Sequence, residues 1–115
     1  MRRSSIVYRI SNALREKQPH ATTILYGSEA RGDARPDSDI DLLILLPKDK
    51  LTYKDKDSVI DALYDIELET GVVISPYIIT QSQWENRPFQ TPFFQNIKNE
   101  GINLTKVGEY DRRIG

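Results

Sequence analysis

The stretch GSEARG at residues 27–32 is followed, after a short turn-rich link, by DIDLLILL at residues 39–46. A glycine-serine pair after an apolar run predicts a sharp turn out of a strand, and Glu29 to Arg31 can begin a short helix. The run Leu42–Leu46 is typical of a central strand that is buried on both faces. Together the two segments predict an active centre where a turn meets the end of a strand.

Asp39 and Asp41 stand two residues apart at the head of the apolar strand. Side chains at i and i+2 of a strand point to one face, so both carboxylates would share a space while Ile40 packs on the other face. Mg²⁺ binds carboxylate oxygens together with phosphate oxygens. An isolated Asp-x-Asp more often only caps a strand, but two like charges beside a buried strand are costly and favour a cation as their partner.

Gly27, Ser28 and Arg31 predict the nucleotide-binding half of such a site. Residues 21–26 are β-branched and apolar, as in a strand, and Gly27 would let the backbone turn and approach a ligand. Ser28 is predicted as the N-cap of the short helix, whose first N–H groups would face phosphate. Arg31 would add a charge-assisted hydrogen bond. Alone this is an ordinary capped turn, but Asp-x-Asp eleven residues after Ser28 favours binding of a magnesium-bound nucleoside triphosphate.

These motifs, Gly-Ser-x-Ala-Arg-Gly at 27–32 and Ser-Asp-x-Asp-Leu at 38–42, resemble those of the nucleotidyltransferase fold of the DNA polymerase β superfamily. The length and the Ala-Arg-Gly variant resemble its minimal nucleotidyltransferase (MNT) branch. The resemblance implies an α/β (α+β) fold, with a small mixed sheet and flanking helices. It also implies binding of Mg-NTP at the Gly27-Ser28 turn and transfer of a nucleoside monophosphate, which we expect to be AMP, to a hydroxyl with loss of pyrophosphate. Asp39 and Asp41 would then be both catalytic residues and Mg²⁺ ligands.

Apolar periodicity and breaker residues predict the elements around these motifs, in a single domain over 1–115. Pro76 removes a ladder donor, so the third strand is expected at an edge or with a bulge. The second long helix has Val59, Ile60, Leu63, Ile66 and Leu68 as its apolar positions. The predicted elements are helices at 5–17 and 53–70, strands near 22–26, 39–46 and 72–79, a short helix at 81–85, a last helix at 91–100, and residues 102–104 docking back on the domain.

Composition excludes several classes of protein. A net charge of −1 and a pI near 5.8 give no bulk attraction to nucleic acid, and the pairs Arg2-Arg3 and Arg112-Arg113 are expected to be solvated. The absence of cysteine excludes disulfides and zinc–thiolate sites. No membrane span or secretory signal is visible, so we expect a cytoplasmic protein. The aromatic residues of the final third are expected mostly in the core, with some in a partner surface, and comprise Tyr77, Trp84, Phe89, Phe93 and Phe94.

The resemblance implies a third catalytic acid on the strand after the second long helix, and Ser75 falls at its place. No Asp or Glu lies between Glu69 and Glu85, and Glu67 and Glu69 would have to reach around Gly71. The cation that travels with the triphosphate keeps Asp39 and Asp41, whereas the cation that activates the nucleophile loses a charged ligand. The two-metal site is therefore predicted to be incomplete.

Two functions remain open at this point. The first is an enzyme, an MNT that moves AMP to an acceptor supplied by another chain. The second is a binding module with a weakened site that neutralises a partner without chemistry. Proteins of the branch that the chain resembles often pair, as antitoxins, with an all-helical HEPN partner, and some modify a tyrosine of that partner with AMP. Both functions fit such a pairing.

Overall fold

The computed structural model describes residues 2–87 and 91–105. The predicted helices and strands are confirmed to within two residues at each boundary, and one short strand is added. The elements, in chain order, are α1 (Ser4–Lys17), β1 (Thr22–Tyr26), α2 (Gly27–Arg31), β2 (Ile40–Leu46), α3 (Tyr53–Thr70), β3 (Ile74–Thr80), α4 (Gln81–Glu85), α5 (Pro92–Glu100) and β4 (Ile102–Asn103).

Within residues 2–87 and 91–105, four strands form one mixed sheet in the order β3-β2-β1-β4. β1 pairs antiparallel with β2 and with β4, whereas β2 and β3 are parallel, joined by the α3 crossover. β3 is an edge strand, as Pro76 predicts, because a missing N–H is tolerated where no further strand has to pair. The unpredicted strand is β4, in the segment 102–104 that was expected to dock on the domain. Its two residues are too few to show a periodic pattern.

Local sequence signals fix the crossover that brings β3 beside β2. Thr52 caps α3 in a capping box. Its hydroxyl accepts a hydrogen bond from the backbone N–H of Asp55, and the Asp55 carboxylate accepts one from the backbone N–H of Thr52. Gly71 ends α3 in the left-handed conformation at φ 72°, which glycine adopts without steric cost. The next strand can therefore begin three residues later, in parallel register with β2.

The two faces of the sheet pack against different helices. Alternate residues of β2 divide between them: Leu42, Ile44 and Leu46 join α1 and α3 in the larger apolar cluster. Leu43 and Leu45 lie on the opposite face and contact Ile97 of α5 and Trp84 of α4 in a smaller cluster. β2 is apolar almost throughout because helices cover both of its sides.

The predicted apolar face of α3 needs correction. Ile60 and Leu68 are 53% and 64% exposed, because they lie on the side of α3 that points away from the sheet, while Val59, Leu63 and Ile66 are buried as predicted. Phe89 and the pair Arg112-Arg113 lie outside the described residues. Within the ranges described, none of the helices combines the length and apolarity needed to span a membrane.

Arg3 is not solvated, contrary to the prediction for the pair Arg2-Arg3. Its Nε donates to Oε1 of Glu29 at 2.7 Å, and the N–H groups of Arg2 and Arg3 donate to Oε2 of that carboxylate at 2.8 and 2.7 Å. Glu29 is fully buried. Burial alone would raise the pKa of Glu29, but the bonds and charge of Arg3 and the Arg2 N–H hold it below the ordinary value. This ion pair ties the start of α1 to α2, and thereby to the turn that precedes α2.

Candidate active site

The turn at Gly27 joins β1 directly to α2. Gly27 has φ 76°, and a Cβ built on it would lie 2.4 Å from Oδ2 of Asp41, so both the conformation and the space require glycine. Ser28 is not the N-cap that the sequence predicts. The helix begins at Gly27, with the extended Tyr26 at the cap position, so Ser28 already lies in the first turn. The structure thus places the predicted phosphate-binding turn in contact with Asp41.

Asp39 and Asp41 lie at the entrance of β2, on either side of its first residue. Asp41 pairs in register with Tyr26 on one side and with Ser75 on the other, so it sits in the middle of the sheet's end. Burial and the charge of Asp39 raise the pKa of Asp41, since two carboxylates share this space. An approaching cation would relieve that repulsion.

Ser75 stands beside the two carboxylates, as its alignment with the third acid predicts. Its hydroxyl donates to Oδ2 of Asp39 at 3.2 Å. The two helix acids that could have replaced it are engaged elsewhere: Glu67 accepts the N–H of Ile74 at 3.0 Å, and Glu69 pairs with Arg9. A neutral hydroxyl therefore occupies the third position of the group.

Arg31 lies at the other end of α2, and its side chain is half-exposed. Its Nη1 donates to Oε2 of Glu100 at 2.9 Å, and its Nε donates to Asp33 at 3.2 Å. The same Oε2 of Glu100 accepts the N–H of Gly27 at 3.0 Å. Sequence reasoning missed Glu100, since a carboxylate at the end of a helix some seventy residues from the turn carries no local signal.

Three aromatic side chains border the carboxylates on the face that α4 and α5 cover. The ring of Phe93 contacts those of Tyr26 and Tyr77 edge-on, with centroids 5.7 and 5.8 Å apart. Burial, with the charge of Asp41 next, raises the pKa of Tyr26 to about 12. Its hydroxyl therefore stays protonated at neutral pH. Tyr77 and Phe93 remain 38% and 44% exposed, which leaves an aromatic surface beside the site.

The donor set fits a magnesium ion that arrives with a nucleotide better than a cation held by protein alone. Over residues 2–87 and 91–105, no three His, Cys, Asp or Glu side chains are grouped in a way that could hold a metal ion. Asp39 and Asp41 supply two carboxylates, and Mg²⁺ commonly takes one or two together with phosphate oxygens. The residues present would suit one nucleotide-borne cation, and a second would lack a charged ligand at Ser75.

Comparison with known proteins agrees with this geometry. A family model described as nucleotidyltransferase domain matches residues 7–100. Two proteins of Methanocaldococcus jannaschii, both named putative protein adenylyltransferase, are similar to the chain. MJ0141 is 34% identical over 95 residues, which are 83% of this chain and 87% of that protein. MJ0604 is 38% identical over 78 residues, which are 68% and 71% of the two chains.

A solved structure shares the fold. It is the crystal structure of a toxin-antitoxin with AMP-PNP, which matches with a TM-score of 0.59 and 20% sequence identity over 90% of this chain and 76% of that one. At this identity the likeness concerns the arrangement of helices and strands.

Proposed function

The chain belongs to the nucleotidyltransferase domain family, and on that premise we propose that it transfers AMP from Mg-ATP to a hydroxyl of a partner protein, as the antitoxin of a toxin–antitoxin pair. The observation that carries the proposal is the contact between Gly27 and Asp41, because it puts the turn that we expect to bind phosphate beside one of the two carboxylates. The names of the two relatives support AMP and a protein acceptor. The structural neighbour, a toxin-antitoxin with AMP-PNP, supports a toxin–antitoxin setting.

Each residue of the site would have one task. The N–H of Gly27, the Ser28 hydroxyl and the Arg31 guanidinium would hold phosphate oxygens of the triphosphate. Asp39 and Asp41 would hold the Mg²⁺ that accompanies it, and the bound cation supplies positive charge that offsets the charge of the phosphates. The aromatic residues beside Asp41 would keep water from that side of the site.

The transfer itself is a displacement at the α-phosphorus. The acceptor oxygen forms a bond to that phosphorus, the bond to pyrophosphate breaks with its electron pair leaving on pyrophosphate, and the acceptor hydroxyl gives up its proton to solvent water. Ser75 offers no negative charge to help withdraw that proton, and Tyr26 stays protonated at neutral pH. We therefore expect slow transfer, with about a tenfold loss of rate for each 1.4 kcal/mol of lost transition-state stabilisation.

A binding-only antitoxin is the second candidate, and Ser75 is the observation that favours it. With a neutral group at the third position, the chain would bind Mg-ATP, or no nucleotide, and would act by covering a HEPN-type helical partner. The exposed aromatic residues Tyr77 and Phe93 beside the site suit such a contact.

The two candidates separate in a transfer assay with ATP labelled in its α-phosphate. The acceptor is the protein encoded by the neighbouring reading frame, and the enzymes are wild type, Ser75→Asp and Asp39→Asn. We expect slow labelling by wild type, labelling on the order of tenfold faster by Ser75→Asp, and none by Asp39→Asn. If neither wild type nor Ser75→Asp labels the partner although both bind Mg-ATP, the chain acts by binding alone.

A further inference from the structure

Glu100 occupies the place that the triphosphate is expected to take. It is the last residue of α5, and its Oε2 accepts two hydrogen bonds, from the Gly27 N–H at 3.0 Å and from Arg31 at 2.9 Å. Its side chain is only 20% exposed. These two donors are the ones that the proposed function assigns to phosphate. A carboxylate of the chain itself therefore binds where a ligand's anionic oxygens would bind.

Glu100 and a phosphate oxygen cannot both be fully bonded at this point. The backbone N–H of Gly27 has one proton and makes one good hydrogen bond at a time, whereas the guanidinium of Arg31 has several donors and could change partners. Glu100 also adds a third negative charge to those of Asp39 and Asp41, and it contributes to the unfavourable field at Asp41. A triphosphate that kept Glu100 in place would meet a carboxylate at short range.

The packing of α5 allows Glu100 to leave without movement of the helix. Ile97, one turn earlier, is buried in the smaller cluster, and Thr91 caps the helix start. Gly101 passes so close to β1 that a Cβ would lie 2.7 Å from Cγ2 of Ile24, which pins the chain directly after Glu100. The backbone is thus held on both sides of Glu100. A rotation about its side-chain bonds is enough to free the Gly27 N–H.

We propose that Glu100 is an internal anion that closes the nucleotide site and that Mg-ATP must displace it to bind. The inference rests on the proposed function, because it takes Gly27 and Arg31 as phosphate donors. Glu100 lowers the affinity of the empty site for nucleotide and keeps the Gly27 turn in shape while no nucleotide is bound. Any partner contact that draws Glu100 outward would open the site.

The test compares the dissociation constant of Mg-ATP for wild type, Glu100→Gln, Glu100→Ala and Asp33→Asn by titration calorimetry. Asp33→Asn is the matched control, because it removes the other carboxylate from Arg31 and leaves Gly27 untouched. We expect Glu100→Ala to bind Mg-ATP on the order of tenfold more tightly than wild type, Glu100→Gln to fall between them, and Asp33→Asn to stay within about threefold of wild type.

The Gly27 amide resonance gives a second readout. Without nucleotide it should differ between wild type and Glu100→Ala, and with saturating Mg-ATP the two proteins should give the same position, since one phosphate then bonds the same N–H. If wild type binds Mg-ATP and Glu100→Ala binds it with unchanged or weaker affinity, the role of Glu100 is overturned and the proposed function stands. The same holds if Mg-ATP binds to wild type without moving its Gly27 resonance. Absence of Mg-ATP binding in every variant overturns the proposed function, and this inference with it.

Discussion

The two faces of the sheet are made from the same strands, but one is packed in the core and the other carries the candidate site. On the face covered by α1 and α3, strand residues meet a large and continuous apolar cluster. On the face covered by α4 and α5 the apolar cluster is small. Tyr26 packs against it, and the polar residues Asp41 and Ser75 lie beside Tyr26 at the strand ends. Because it buries more apolar surface, we expect the face covered by α1 and α3 to supply most of the folding free energy. The other face could then tolerate like charges side by side.

The largest effect that tests this contrast comes from Leu42 and Leu43, which are adjacent, fully buried and on opposite faces. Leu42→Ala should lower the free energy of unfolding by about 4 kcal/mol and Leu43→Ala by about 2 kcal/mol, because the smaller cluster can close more of the cavity left behind. Urea denaturation measures both. Leu68→Ala on the outer surface of α3 is the control, with a change below about 0.5 kcal/mol. Equal losses in the free energy of unfolding at positions 42 and 43 would contradict the expectation that the two faces contribute unequally to stability.

A second comparison uses two glycines with the same backbone conformation and different surroundings. Gly27 and Gly71 have φ of 76° and 72°, but a Cβ at Gly27 would clash with Asp41, whereas at Gly71 it would meet no atom of the described residues within 4 Å. Gly71→Ala should cost about 1 kcal/mol of stability from strain alone and keep Mg-ATP binding. Gly27→Ala should cost more, about 2–3 kcal/mol, and lose Mg-ATP binding. Similar losses of stability and retained binding in both variants would show that the turn does not depend on the contact with Asp41.

A smaller, pH-dependent effect on stability is expected on the face covered by α1 and α3, at the cap of α3. The hydrogen bond from Lys48 and the backbone bond from Thr52 lower the pKa of Asp55 from 3.8 to about 2. A lowered carboxyl pKa stabilises the folded state above the unfolded value, so this contribution is lost as the pH falls from about 4 to 2. The melting temperature of wild type should drop over that window, and the drop should be smaller in Asp55→Asn than in wild type or in Asp57→Asn. Equal drops in all three would show that Asp55 does not carry this dependence.

Sequence patterns were sufficient to predict the features that depend on residues close together in the chain. Apolar periodicity located α1 and α3, the run 42–46 indicated the central strand, and Pro76 indicated the edge. These features depend on neighbours in sequence, for which residue type is informative. The close approach of the Gly27 turn to the carboxylates was expected from the resemblance of the two motifs to the nucleotidyltransferase fold.

Sequence patterns failed where a side chain finds its partner across the fold. The sequence predicted that Arg3 would be solvated, but it pairs with a buried glutamate 26 residues away. In the sequence Glu100 is only the polar last residue of a predicted helix, but its carboxylate accepts a hydrogen bond from the Gly27 N–H. The exposed faces of Ile60 and Leu68 were missed because apolar type alone does not tell which side of a helix meets the sheet. Each of these depends on how the helices are placed against the sheet.

The proposed site for a magnesium-bound nucleotide is formed by Asp39, Asp41 and the Gly27 turn. It is tested most directly by the rise in melting temperature that millimolar Mg-ATP causes in wild type and in Asp39→Asn/Asp41→Asn, with Asp37→Asn as the exposed control. We predict a clear rise for wild type and Asp37→Asn and none for the double variant. Without nucleotide, the double variant should melt at or above the wild-type temperature, since the like-charge repulsion is gone. No rise in wild type, or an equal rise in the double variant, would show that these residues do not form a site for Mg-ATP.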